Sequence, residues 1–283
     1  MSQASALITS LNSRLDMTIG ASTTPSQTNV LAWIDETVKW IMVLLAEQNS
    51  DLGREIGTIK TIKKTITGIT TATPPVVTSA SHGLSDGEEI LIKSVVGMTD
   101  VNDEWFIVDD KTTSTLELQD ATATDVVGAA YDDYTSGGYI YKKEYTDLAS
   151  YMYAPAKKGW IQKTHERKSI DLTTEDKLME YDPAEVDEPA MFYVDGDNNV
   201  HFIPTPDDEY IIKIPYWKIT TAITLTTSTV PFNGLLDSLI VEAVEMRAKI
   251  REELDPAETQ NWFKFLGDRV KNLCWLRKHG ADN

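Results

Sequence analysis

Between Ile66 and Ile140 the chain carries 13 Asp/Glu against two lysines, −11 of the −18 held by the whole sequence, and little that favours a helix. Thr and Gly abound there, Pro74-Pro75 bars helical backbone, and apolar residues recur at every second position. Ile90 and Ile92 alternate with Glu89, Leu91 and Lys93; Leu116 and Leu118 alternate with Thr115, Glu117 and Gln119; Phe106 and Val108 oppose Trp105 and Ile107. That period puts successive side chains on opposite faces of a strand. Ser85-Asp86-Gly87, Asp109-Asp110 and Gly137-Gly138 supply turns. Such a segment predicts a small antiparallel barrel or sandwich, a self-contained β module.

The flanks obey a different period. Ile8, Leu11 and Leu15 have helical spacing over Ser2 to Leu15. Val30, Trp33, Ile34, Val38, Ile41, Leu44 and Leu45 predict a second helix from about Asn29 to Glu47, capped by Thr28 or Asn29. Towards the other end, Leu236, Leu239, Ala243, Met246 and Ile250 share a face from Gly234 to Leu254, widened by Ile240, Val244 and Leu254. Asp255-Pro256-Ala257-Glu258 then reads as a helix start, with Asp255 as cap, Pro256 at the first helical position and Glu258 closing the box. Trp262, Phe265, Leu266, Val270 and Leu273 carry that helix to about Arg277, so the last two helices form a hairpin. Asn199 to Ile203 and Tyr210 to Trp217 read as strands, with Pro215 marking an edge or a bulge. The expected fold class is α+β: a helical bundle from the N- and C-terminal helices, a small antiparallel β segment, and an inserted all-β barrel. The expected divisions are 1–57, 58–141, 142–233 and 234–283.

Composition narrows the function classes. At 41% hydrophobic and 25% charged residues, the chain folds, and 283 residues are enough for two compact units. The longest apolar run, Val38 to Ala46, contains Lys39 and falls short of the roughly 20 residues a bilayer span needs. No basic start and continuous apolar stretch mark a secretory signal in Met1 to Leu15. A single cysteine, Cys274, excludes an intrachain disulfide and a cysteine-rich zinc site, and points to folding in a reducing compartment. The acidic balance opposes a nucleic-acid reader that works by neutralising phosphates.

Catalytic signals are weak. No two of His82, His165, His201 and His279 have the spacing that puts two imidazoles on one metal. His82 lies near Ser85 and Asp86, but triads are assembled from distant segments, and a turn histidine is expected. Asp195-Gly196-Asp197-Asn198-Asn199 opens like a calcium loop, yet Val200 replaces the required glycine and Pro206 the closing glutamate, which leaves a turn. Cys274 reads as packing. No Gly-rich phosphate loop, cofactor or metal is expected, and no enzyme. Two basic clusters remain. Lys157, Lys158, Trp160, Lys163, Arg167 and Lys168 contact DNA or an acidic neighbour, or form a solvated surface. Arg269, Lys271, Trp275, Arg277 and Lys278 form a basic, aromatic tip suited to an acidic groove on a subunit or partner, although cations also favour a helix C-terminus.

The strings Ile66-Thr67-Gly68-Ile69, Pro75-Val76-Val77-Thr78, His82 to Ile90, Val96 to Asn102, Trp105 to Val108 and Ser136-Gly137-Gly138 resemble a small barrel of tailed-phage virion proteins. That barrel is related to the first catalytic-cysteine half-domain of ubiquitin-activating enzymes; the module here has no cysteine, so no such activity is implied. Glu188 to Tyr193, Val200 to Asp207 and Tyr210 to Lys218, leading through Pro231-Phe232 into two helices, resemble the head-to-tail adaptor proteins of tailed phages, a group that includes the tail tubular protein A family. Tyr216-Trp217 stands where that family has paired tyrosines. The resemblance implies a structural virion protein in the neck, assembled in host cytoplasm. It would form a homo-oligomeric ring, commonly twelve-fold, joined to tail tube, nozzle or fibre proteins and to the portal protein, with the tip Arg269, Lys271, Trp275, Arg277 and Lys278 as the portal or subunit interface. Packaged double-stranded DNA would pass through its lumen, with no membrane involved. An acidic lining suits a channel that must not grip phosphates. The alternative is a tail protein that docks fibres or a host receptor through the barrel.

Overall fold

The computed structural model describes residues 2–148, 150, 152–218, 220–250 and 256–279. It is a mixed α+β protein with two compact units, Met1–Glu55 with Trp217–Asn283, and Ile56–Tyr216.

In the first unit, α1 (Ala4–Leu15), α2 (Gln27–Glu47), α3 (Asp237–Ile250) and α4 (Pro256–His279) come from opposite ends of the chain. α3 packs on α1, α2 and α4, and α4 also packs on α2. Leu7 and Leu11 of α1, Val30, Ile34, Val38, Ile41 and Leu45 of α2, Ile240 and Val244 of α3, and Trp262, Leu266 and Val270 of α4 are buried. Their spacing of three and four residues is what one helix face requires. Ion pairs tie the ends of the chain together, Arg14 to Glu245 at 3.2 Å and Arg247 to Glu36 at 2.7 Å.

Several helix boundaries differ from the sequence reading. α2 starts at Gln27, because Ser26, extended after Pro25, accepts the Asn29 N–H at 3.3 Å; Thr28 and Asn29 are already helical. Ser2–Gln3 is not helix but a short strand against Thr229–Val230. There the free N–H groups of Ala4 and Ser5 donate to the carbonyls of Ser228 and Thr226 at 2.9 and 2.8 Å, so α1 needs no side-chain cap. Phe232–Gly234 form a 3₁₀ turn, and α3 begins only at Asp237. α4 begins at Pro256; the expected cap Asp255 lies outside the described residues.

The second unit holds two large sheets and a small parallel pair, Val186–Asp187 with Thr205–Pro206. Seven antiparallel strands curl into a half-barrel in the order Lys63–Thr65, Ser136–Lys142, Glu89–Val96, Glu104–Asp109, Thr115–Gln119, Val76–Thr78 and Gly68–Ile69. One chain segment bridges the outermost strands: Ile66 N–H donates to Gly138 O and Thr67 N–H to Thr78 O, both at 2.9 Å. The alternating residues Ile90, Ile92, Phe106, Val108, Leu116, Leu118 and Ile140 fill its inside. Gly138 has φ +98°, and a Cβ there would stand 2.6 Å from Val95 Cγ2, so the strand can turn inward only with glycine.

The other sheet runs Glu144–Tyr145, Val200–Ile203, Met191–Val194, Arg167–Leu172, Lys158–Gln162, Ile211–Lys218 and Met152–Pro155, with Arg54–Lys60 also paired to Ile211–Lys218. Arg167–Leu172 and Met191–Val194 are parallel. Ile59, Tyr145, Ile161, Ile170, Phe192, Phe202, Ile212 and Ile214 form its core. Pro215 does not make Ile211–Lys218 an edge. It sits where the partner changes from Lys158–Gln162 to Met152–Pro155, and its carbonyl still accepts the Ala156 N–H at 2.8 Å.

Polar contacts tie the half-barrel to this sheet and to the loop before Val186, and hold the half-barrel's own strands together. The buried Tyr145 hydroxyl accepts the Ile62 N–H at 3.2 Å and donates to Lys142 O at 3.4 Å; desolvation holds its pKa far above the ordinary phenol. Lys93 donates to Ala184 O at 2.6 Å and the Trp105 indole to Pro183 O at 3.2 Å. Lys142, buried, meets Glu88 at 2.7 Å.

Candidate functional site

The C-terminal basic tip lies on the last turns of α4, where helical spacing sorts its members. Trp262, Leu266 and Val270 face inward, and Arg277, two turns beyond Val270 on the same side, closes on Asp51 with two hydrogen bonds of 3.1 and 3.0 Å. Hydrogen bonding to Arg277 holds the Asp51 carboxyl below its usual range. Arg269 stacks over Phe265 and reaches Glu242 at 3.5 Å. Lys271, Trp275 and Lys278 follow one another at intervals of four and three residues and point outward, so the exposed stripe is cation, indole, cation. Trp275 is 56% exposed and Leu276 beside it 48%. Cys274 is half-buried. Of the five tip residues, Arg277 is therefore committed to the chain's own fold and the rest face solvent.

The second basic cluster is a β-hairpin, not a loop: Lys158–Gln162 pairs with Arg167–Leu172. Its charges are largely met at home. Lys163 and Lys168 both hold Glu188, at 2.8 and 2.6 Å, and Lys158 faces Asp171 at 3.3 Å. The two lysines lower the Glu188 pKa, and the Glu188 hydrogen bond raises that of Lys163. Arg167 lies 5.5 Å from the centre of the Trp160 ring, and Lys157 is exposed. Little charge is left to meet phosphates.

Neither buried histidine is arranged for catalysis. His82 accepts the Leu84 N–H on Nδ1 at 3.1 Å, the nitrogen that a triad histidine would offer to its orienting carboxylate. His201 stacks on Tyr193, with ring centres 4.5 Å apart, and meets Asp195 at 3.0 Å and Glu144 at 3.8 Å through Nε2. Glu144, Asp195 and His201 are close enough to share a cation. A metal on Nε2 would require the proton on Nδ1, and that atom is buried with no hydrogen-bond partner to hold it, so the trio fits a metal poorly. Asp195 instead binds the turn, accepting the N–H groups of Asp197 and Asn199 at 2.9 Å. Burial raises its pKa, but the hydrogen bonds from His201 and Asn199 outweigh that and leave it lowered. Burial, reinforced by neighbouring carboxylates, pushes the Tyr193 hydroxyl up to about 12.

Two exposed apolar features were not legible beforehand. Trp40 meets Phe263 edge-on with centres 4.9 Å apart, and with Leu44 and Leu266 they line a shallow hollow of about 260 Å³ between α2 and α4. The 3₁₀ turn Glu175–Glu180 holds out Met179, 93% exposed, beside Leu178, 38% exposed. The only sequence signal for it is an apolar pair inside an acidic stretch.

Exposed indole and thioether beside charge are features of surfaces that meet partners. The family model described as SU10 adaptor protein matches residues 2–282, and the chain belongs to that family of structural phage adaptor proteins. No curated protein matches it. Among the described residues no helix is long and apolar enough to cross a membrane.

Proposed function

We propose that this adaptor is a subunit of a head-to-tail ring in the virion neck, commonly twelve-fold, that joins the portal to tail proteins around the DNA channel. The observation that carries the reading is the outer surface of the four helices. Trp40, Phe263, Trp275 and Leu276 stay exposed there, although a monomer gains by covering such side chains. The helices act as one bundle and present Lys271, Trp275 and Lys278, and the half-barrel is an appended module. Heterologous contacts repeated around a closing rotation make a ring. The chain's −18 charge repels passing DNA rather than gripping it. Particle mass together with negative-stain imaging tests this. We expect a ring with a central hole near twelve times the 31.6 kDa chain. A monomer at every concentration, or a trimeric spike, would refute it.

A further inference from the structure

The two units differ sharply in charge. Ile56–Tyr216 holds 29 acidic against 14 basic residues, whereas the other unit holds 15 against 12. Within each, one exposed segment exaggerates the difference. From Thr173 to Glu185 there are five acidic residues, Glu175, Asp176, Glu180, Asp182 and Glu185, against Lys177 alone. All five acids are exposed, and among the described residues the only ion pair in this stretch is Lys177 with Glu180, at 2.6 Å. Met179 and Leu178 project from its centre. On α4, from Lys264 to Lys278, there are five basic residues against Asp268 alone, with Trp275 and Leu276 outward among them.

We infer that the acidic turn around Met179 docks on the outward stripe Lys271–Trp275–Lys278 of a second copy of this chain, and that this pair of surfaces is the repeating contact of the ring. The inference rests on the ring reading and names its interface. Three features select a second copy as the occupant. The charges are opposite: the turn holds four acids in excess, and the stripe presents Lys271 and Lys278, while Arg277 beside them is held by Asp51. Both surfaces place apolar side chains in the middle and charges around them, the layout of a contact whose centre is desolvated and whose rim stays wet. The apolar centres suit each other, since a flexible thioether packs well on an indole face or edge. Because the two surfaces are different patches, each copy offers one and receives the other, which propagates head to tail.

Charge reversal in trans tests it. One variant carries Lys264→Glu, Lys271→Glu and Lys278→Glu, so that acids outnumber bases four to two from 264 to 278 and both its surfaces are acidic; the other carries Glu175→Lys, Asp176→Lys and Glu180→Lys, so that bases outnumber acids four to two from 173 to 185 and both its surfaces are basic. All six positions are exposed, and circular dichroism checks that each variant keeps its fold. Each variant alone should stay monomeric at concentrations where the unaltered chain forms rings. Mixed in equal amounts they should regain rings in which the two alternate, because every contact is again between opposite charges. Rings formed by either variant alone, or folded variants that fail to assemble when mixed, would overturn this interface and leave the ring reading standing. An unaltered chain that never forms rings would overturn both.

Discussion

Trp262 is the residue through which α4 is held, and its replacement by phenylalanine separates the contributions. The side chain is 1% exposed, its indole N–H donates to Ala243 O of α3 at 2.9 Å, Arg247 lies 4.9 Å from its ring centre, and Phe263 packs edge-on at 4.9 Å. Arg247 is itself fixed by Glu36 of α2, so this one indole joins three helices. Phenylalanine keeps most of the apolar volume but loses the hydrogen bond, about 1 kcal/mol, and weakens the cation–π contact by about 0.5–1 kcal/mol. With the small void that remains, the expected cost is about 2 kcal/mol, against about 3–5 kcal/mol for alanine. For a unit of this size that lowers Tm by about 5–10 °C for Trp262→Phe. The described α-helices all belong to the first unit, so far-UV circular dichroism in the helical band follows that unit selectively during melting. A Trp262→Phe variant within ~0.5 kcal/mol of the unaltered chain, the range of neutral surface changes, would refute the role assigned to the hydrogen bond and the stacked arginine.

Two further outcomes follow from buried and exposed charge. Glu88→Gln should destabilise the second unit by about 3–5 kcal/mol, because Lys142 stays buried without its carboxylate, whereas Glu88→Leu with Lys142→Met should recover most of that loss; urea unfolding of the three proteins checks it, and equal stability of all three would refute it. Asp51→Asn should cost at most about 1 kcal/mol at neutral pH, since the Arg277 pair is exposed. The Asp51 pKa is lowered in the fold, so its contribution is present above the usual carboxylate range and disappears as pH falls through the lowered value; unfolding at pH 7 and in acid should show a difference only at pH 7, and one that persists in acid would refute the pairing.

The readable parts of the fold are those with a strong local period. Phe106–Val108 and Leu116–Leu118 alternate because one face of a half-barrel is buried and the other only partly covered, and a register error would expose the set, whereas between Ile90 and Ile92 Leu91 is buried as well. The stripes of α2 and α4 were legible for the same reason. Lys157 to Lys168 left contact and solvated surface both open, because the partners of its lysines, Glu188 and Asp171, approach through sheet pairing that no local pattern encodes. Ser2–Gln3 read as helix, and only the carbonyls of Thr226 and Ser228, far along the chain, decide otherwise. Met179 carries no period at all, and its exposure depends on a turn that the sheet order places.

The way α4 ends connects this packing to assembly. Its last buried apolar side chain is Val270, and from Lys271 onward the described side chains are exposed or half-buried. Beyond that point the helix gains little from the core, and the Arg277–Asp51 pair that anchors it is exposed and correspondingly weak. Segments with few buried contacts open at low free-energy cost. A helix end of this kind presents Lys271, Trp275 and Lys278 in register without spending core stability on them. In the proposed ring, the surface that covers the indole would complete the ordering of that end, and truncation after Lys271 should remove contact rather than fold.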